Sequence, residues 1–152
     1  MKEGFTMVKL LLGHKGSGKT KSMIDMANDA VVKADGHIIF LNKNHRYTYE
    51  LNHELRVIST EDYEDLTNID EFIGFIFGII SSDYDIETIF IDGILKHDDV
   101  ALGDMPEFLG RLKGIAAKYE IEIVVSLGAE KEELIGVDFE GCEIIKKFNL
   151  CC

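Results

Sequence analysis

The stretch VKLLLGHKGSGKT, Val8 to Thr20, decides the reading of the fold. Its first part, Val8–Leu12, is a short apolar run stopped by Gly13, the pattern of a strand buried on both faces of a parallel sheet. Its end opens a helix. From Lys19 to about Val32, Met23, Ala27 and Ala30 recur three or four residues apart and Ile24 and Val31 seven apart, which gives one apolar face, and Gly36 closes the segment. A buried strand, a glycine-rich turn and an amphipathic helix in direct succession open a strand-helix-strand unit.

The turn itself, GHKGSGKT, carries chemistry. Glycine, four residues, glycine, lysine and threonine is the spacing of a phosphate-cradling loop, so Gly13, His14, Lys15, Gly16, Ser17, Gly18, Lys19 and Thr20 are the candidate binding residues. Glycines permit positive backbone angles and close approach, which lets successive N–H groups point at phosphate oxygens. Lys19 has the reach to meet the β and γ phosphates, Thr20 offers a hydroxyl to magnesium, and the helix turns the positive end of its dipole toward the anion. A dinucleotide-binding loop fits less well, because Gly16 and Gly18 would need a further glycine where Lys21 stands. A glycine-rich turn without a ligand is the alternative that carries no chemistry.

Working outward, HIIFL (His37–Leu41) reads as a second strand and LRVI (Leu55–Ile58) as a shorter third, separated by the polar stretch Asn42 to His53. Asn68 and Glu71 have the spacing of a helix N-terminal capping pair ahead of FIGFIFGII, Phe72–Ile80. Gly74 and Gly78 there form a GxxxG pair, but nine residues cannot span a bilayer that needs roughly 20, so a buried helix is expected. TIFI, Thr88–Ile91, is a strand ending at Asp92. Asp104 then caps a helix with Pro106 in its first turn and Glu107 at the capping-box position, and Phe108, Leu112, Ile115, Ala116 and Tyr119 form its buried stripe. Ile121–Leu127 is another strand, and Glu143–Phe148 a last one at the edge. Strands alternating with helices of this length predict an α/β, three-layer parallel-sheet fold, a single domain over residues 1–152.

Asp92, at the carboxyl end of its strand, faces the phosphate loop in such a sheet. Its carboxylate would hold magnesium through a bound water while Thr20 contacts the metal from the other side. The alternative is a helix or turn cap.

The formal charge of -12 and only three arginines, Arg46, Arg56 and Arg111, argue against nucleic acid and against anionic membrane surfaces, since both partners are bound mainly through clustered cations. Three cysteines, Cys142, Cys151 and Cys152, have no metal-ligand spacing and fit a reducing compartment. The start, MKEGFT, lacks the apolar core of a signal peptide, so a cytoplasmic protein is expected. The five histidines show no close metal spacing.

Gly13–Thr20 together with Thr88–Asp92 resembles the Walker A and Walker B motifs of P-loop NTPases. The two strand-like runs between them suggest the additional-strand division. Phe108–Gly128 is similar to the helix-strand unit after Walker B in recombinase-like ATPases, and by that analogy Ser126 is either a polar sensor near the γ phosphate or a buried serine bonded to backbone. The whole chain also resembles small bacterial ATP-binding proteins labelled twitching-motility ATPases. That resemblance implies nucleotide binding rather than pilus retraction, because the extra N-terminal domain and the acidic and histidine boxes of motility ATPases are not found. A guanine signature is missing, since Asn42-Lys43-Asn44 is followed by His45 and precedes Asp92. Thymidine-kinase-like enzymes place a glutamate where Gly93 stands and carry a zinc ribbon.

The expectation is therefore a protein that binds ATP and Mg2+, a slow hydrolase whose output is a conformational change. A small-molecule or nucleoside phosphotransferase, with Asn42–His53 as substrate lid, and a non-hydrolysing assembly module are the alternatives. Lys19 and Asp92 are the expected catalytic-site residues, with Ser126 beside them. No glutamate follows Asp92 or the His37–Leu41 strand, which leaves Glu61 as the fallback base, against a solvated surface role. The apolar block Phe72–Ile80 also predicts self-association, or docking of a protein partner.

Overall fold

The computed structural model describes residues 7–14, 16–63, 66–94 and 102–148. Six parallel strands form one sheet: β1 (Val8–Gly13), β2 (His37–Asn42), β3 (Arg56–Ser59), β4 (Ile86–Ile94), β5 (Glu122–Gly128) and β6 (Glu143–Phe148), in the spatial order β3-β2-β4-β5-β1-β6. Helix α1 (Lys19–Lys33) lies against one face. Helices α2 (Ile69–Ser81) and α3 (Met105–Tyr119) cover the other, and α4 (Lys131–Leu134) is one short turn after β5.

The alternation of side chains along each strand sorts the core into two layers. Leu10, Ile39, Ile89, Ile91, Ile123 and Val125 join the α2/α3 layer, whereas Leu11, Ile38, Phe40, Phe90 and Val124 join the α1 layer with Met23, Ile24, Ala27 and Val31. Both faces are thus apolar, which is why these strands read as continuous hydrophobic runs. The strand between those of the phosphate-loop pattern and of Asp92 is β5, which follows both in sequence. The two runs that suggested an extra strand instead form β2 and β3, outside β4 at the sheet's edge.

Several local expectations need correction. Strand β4 does not end at Asp92 but continues to Ile94, with an irregularity after Ile91 at which Gly93 takes φ 88°. Helix α2 is not buried all round: Ile69, Phe72, Ile73, Ile76 and Ile80 face the core, while Phe77 is 41% exposed and Gly74 and Gly78 lie on the outer face. The helix covers one side of a sheet, and the described residues do not bury its outward side. Its start does follow expectation, for the Glu71 N–H donates to Asn68 Oδ1 at 2.9 Å. On α3, Asp104 makes no side-chain cap because a 3-10 turn, Leu102–Asp104, already leads into the helix, and Tyr119 at its far end is exposed. Leu112, Phe108, Ile115 and Ala116 are buried as the stripe requires.

The polar stretch after β2 is tied to α1. Leu51 is buried in the α1 layer, and Asn28 of α1 ties the segment down, its Nδ2 donating to Glu50 O at 3.0 Å and its Oδ1 accepting from Asn52 N at 2.8 Å. Cys142 is buried, and burial pushes its thiol up to about 11, Lys113 opposing that shift and Glu140 adding to it.

The amino edge of the sheet is joined by Asp83, in the turn from α2 to β4. Its Oδ2 accepts from Arg56 NH1 on β3 at 2.8 Å and pairs with His37 Nδ1 on β2 at 2.7 Å, and its Oδ1 accepts from Asp85 N at 2.9 Å. Burial acts to raise the pKa of Asp83, but the Asp85 N–H, His37 and Arg56 together outweigh it and hold the carboxyl below its ordinary 3.8. A lowered folded-state value means stabilisation that is complete above the unfolded value and is lost as acid titrates through the folded one. Among the described residues no helix is long and apolar enough to cross a membrane.

Gly36 does not close α1, whose C-cap is Ala34; it is a point of close approach. A Cβ there would lie 2.1 Å from Asp85 O, and the Gly36 N–H donates to Glu87 Oε2. Gly36→Ala should destabilise by about 1–3 kcal/mol through overpacking against backbone. Gly78→Ala, with nothing within 4 Å of the added carbon, should stabilise by roughly 0.5–1 kcal/mol. Urea unfolding of both variants checks this pair, and a destabilised Gly78→Ala would mean that the outer face of α2 is covered in solution. Asp83→Asn should cost about 1–3 kcal/mol at pH 7, a deficit that shrinks as the pH falls below about 4. Unfolding curves at pH 7 and pH 3.5 measure it.

Candidate functional site

The carboxyl ends of β1, β4, β5 and β2 bring the chemistry-bearing residues to one edge of the sheet. Gly13 ends β1 in register with Gly128 of β5, and its carbonyl accepts from Ala129 N at 3.0 Å. The chain then turns sharply. Gly16 and Gly18 have φ of 81° and 99°, values that a side chain would strain, and the Ser17 N–H donates to His14 O at 3.2 Å. Lys15 lies outside the described residues.

Gly18 is the N-cap of α1, and no described side chain caps the helix. Its first turn holds Lys19 and Lys21 and no acidic residue. Cations next to the positive end of a helix dipole are unfavourable unless an anion joins them. Lys19 is only 3% exposed, and its Nζ donates back into the loop, to His14 O at 2.7 Å and Ser17 Oγ at 3.3 Å. The ammonium thus sits inside the curve of the loop.

Asp92, 7% exposed, receives a hydroxyl on each carboxylate oxygen. Thr20 Oγ1, from the first turn of α1, donates to Oδ2 at 2.9 Å, and Ser126 Oγ, from β5, donates to Oδ1 at 2.6 Å. Ser126 is fully buried and also accepts the Gly93 N–H at 2.8 Å, so it meets the carboxylate and the backbone at once. This matches the buried, backbone-bonded reading of the serine, with a bond to Asp92 in addition. Its bond to Asp92 carries no signal in sequence spacing, because it depends on β5 lying beside β4.

Glu61 is placed differently. It is exposed, in the turn Thr60–Asp62 after β3, where its N–H donates to Lys43 O at 3.0 Å and its carboxylate lies near His45 and Asp62, themselves bonded at 2.9 Å. It does not line the small cavity beside Asp92, whose walls include Asn42, Lys43, Thr60, Phe72 and Gly93. Sequence reading passed over Asn42 and Thr60 as site residues; the available signal was a polar residue directly at the end of a buried strand.

A cavity of about 500 Å3 lies at the opposite, amino edge, lined by Phe77, Tyr84 and Tyr119 among others. None of the loop, Asp92 or Ser126 reaches it. Volume alone would favour it, but the buried Lys19 and Asp92, the left-handed Gly16 and Gly18 and the cationic start of α1 stand together at the carboxyl edge, where ligands of open parallel sheets bind.

The hydroxyl of Ser126 satisfies two buried groups, so Ser126→Ala should destabilise by about 1–3 kcal/mol, more than its small volume change explains. Denaturant unfolding of Ser126→Ala beside a nearby volume control, Val124→Ala, separates the lost hydrogen bonds from lost packing. Comparison of the chain with protein-family models and with curated proteins returned no match.

Proposed function

We propose that the chain is a P-loop NTPase of the additional-strand division that binds ATP with magnesium, hydrolyses it slowly and changes conformation with the nucleotide it holds. One observation carries this reading: Thr20, at the end of the glycine-rich loop, is hydrogen-bonded at 2.9 Å to Asp92, 72 residues away in sequence. These are the two groups that the loop pattern and the acidic strand end separately assign to one metal. The uncapped, cationic start of α1 and the left-handed Gly16 and Gly18 support an anion at that place, and β5 between β1 and β4 is the arrangement that the division's name describes.

Thr20 and Asp92 offer hard oxygen donors, which suit magnesium rather than a softer metal. The metal would supply charge neutralisation at the β and γ phosphates. Of the chain's own groups, Lys19 supplies a buried cation to the phosphates, the loop N–H groups orient them, and Ser126 holds Asp92 in place. ATP is favoured over GTP because the guanine signature is missing.

Slow turnover follows from what surrounds Asp92. Among the described residues no second carboxylate lines the adjoining cavity, Gly93 follows Asp92 directly, and Asn42 stands at the end of β2. Glu61 is in solvent. A phosphotransferase with a lid over Asn42–His53 is less well supported, because that stretch is bonded to α1 and anchored by Leu51.

Lys19→Ala should weaken MgATP binding by about 10- to 100-fold, the effect of losing one charge-assisted contact. Asp92→Asn should leave metal-free ATP affinity within a few fold and abolish the gain from magnesium. Isothermal titration with and without Mg2+ decides both. Phosphate release at saturating MgATP should stay below about one per second, the low end of enzyme rates. Unchanged affinity in the Lys19 variant would remove the phosphate-loop assignment.

A further inference from the structure

We propose that the cavity at the amino edge binds a small organic cation, an ammonium group carried on a flat apolar body. With a volume of about 500 Å3 it has the size of a small-molecule site. It opens between the end of α2, the turn into β4 and the end of α3, and no residue of the glycine-rich loop lines it. A site here is therefore independent of any nucleotide at the carboxyl edge.

The electrostatics select the sign of the ligand. Helices α2 and α3 both end on this cavity, at Ser81 and Tyr119, and a helix C-terminus carries about half a negative charge. No basic residue stands in the last turn of α2 to offset it. Asp83 adds a full charge, for its side chain is 6% exposed and belongs to the cavity wall. Its Oδ2 is taken by Arg56 and His37, but among the described residues Oδ1 accepts only the Asp85 N–H, which leaves that oxygen a second lone pair. The Ser81 hydroxyl has its proton committed to Gly78 O at 3.0 Å, so it too presents lone pairs. Among the described residues no lysine, arginine or histidine lines the cavity.

The walls select the body. Phe77, Tyr84 and Tyr119 are three of the seven large apolar side chains that the described residues leave exposed, and all three line this one cavity. Phe77 and Tyr119 meet edge to face, with ring centroids 6.3 Å apart and planes at 74°. Ring faces attract ammonium groups within about 6 Å of the centroid. The chain's own Lys118, which lines the neighbouring cavity and not this one, already has its Nζ 5.4 Å from the Tyr119 centroid. The buried Ile80, Ile86 and Ile121 supply further apolar wall, and at Gly78 an added Cβ would meet no atom within 4 Å, so the wall there is open. An inorganic cation would leave the rings unused, and an anion would face two helix ends and Asp83. An organic ammonium uses the whole lining.

The test is a nuclear magnetic resonance titration of the isotope-labelled full chain with phenethylammonium, beside phenylpropionate and phenylethanol as anionic and neutral analogues of similar shape. The cation should shift amide signals within residues 77–86 and 119–121. It should bind with a Kd below about 10 mM and at least about tenfold more tightly than either analogue. Gly78→Leu, which puts a good helix former at the open wall and fills it, should fold and lose those shifts. Tyr119→Ala, at a position already 38% exposed, should weaken the cation by about three- to tenfold and the alcohol by less. Absence of binding by the cation overturns the proposal, as does equal affinity for all three compounds, which would mark an apolar cleft without preference for charge. Shifts that persist in a folded Gly78→Leu, or an equal loss for cation and alcohol in Tyr119→Ala, overturn it as well.

Discussion

The site depends on one buried carboxylate. Asp92 is surrounded by the sheet's carboxyl edge, where an ion stripped of water is tolerated only with hydrogen bonds to both oxygens. Thr20 and Ser126 provide them from different elements, one from the helix that follows β1 and the other from the strand inserted between β1 and β4. The carboxylate thus joins three segments distant in sequence, and the shape of the loop, the start of α1 and the irregularity at Gly93 are all fixed relative to it.

The two edges of the sheet divide the work. At the amino edge, Asp83 draws β2 and β3 toward the turn before β4, and Gly36 lets the chain pass within contact of Asp85. These contacts are satisfied by one another. At the carboxyl edge no described side chain caps the start of α1, and Gly16 and Gly18 hold left-handed conformations. Polar groups left open on one edge of an otherwise satisfied sheet are a sign of function rather than of loose folding.

How far this was legible in the sequence varied with range. Apolar periodicity located α1 and most strands to within a residue or two, because burial on both faces of a parallel sheet leaves a local imprint. The glycine-rich loop was legible for the same reason, its backbone angles demanding particular residues at particular spacing. What failed were inferences about what lies beyond an element. The apolar run of α2 did not say which of its residues face outward, where Phe77, Gly74 and Gly78 are exposed, and the polarity of Asn42–His53 concealed that Leu51 anchors it. Ser126 and Asn42 acquire their meaning from strand order, which arises from pairings with no trace in either strand alone.

The direction of the Thr20 hydrogen bond has a consequence for the proposed metal. An ionised carboxylate only accepts, so the proton in the 2.9 Å contact belongs to Thr20 and points at Asp92. Donating it leaves both lone pairs of the hydroxyl oxygen available, and the pull of the carboxylate makes that oxygen a better donor to a cation. Asp92, with one lone pair on each oxygen already engaged, keeps the others, which would be open to a water on that proposed ion. The contact therefore need not break if the proposed magnesium binds. It aims the threonine oxygen in advance, and Ser126, through its own bond to the second carboxylate oxygen, prevents Asp92 from rotating away.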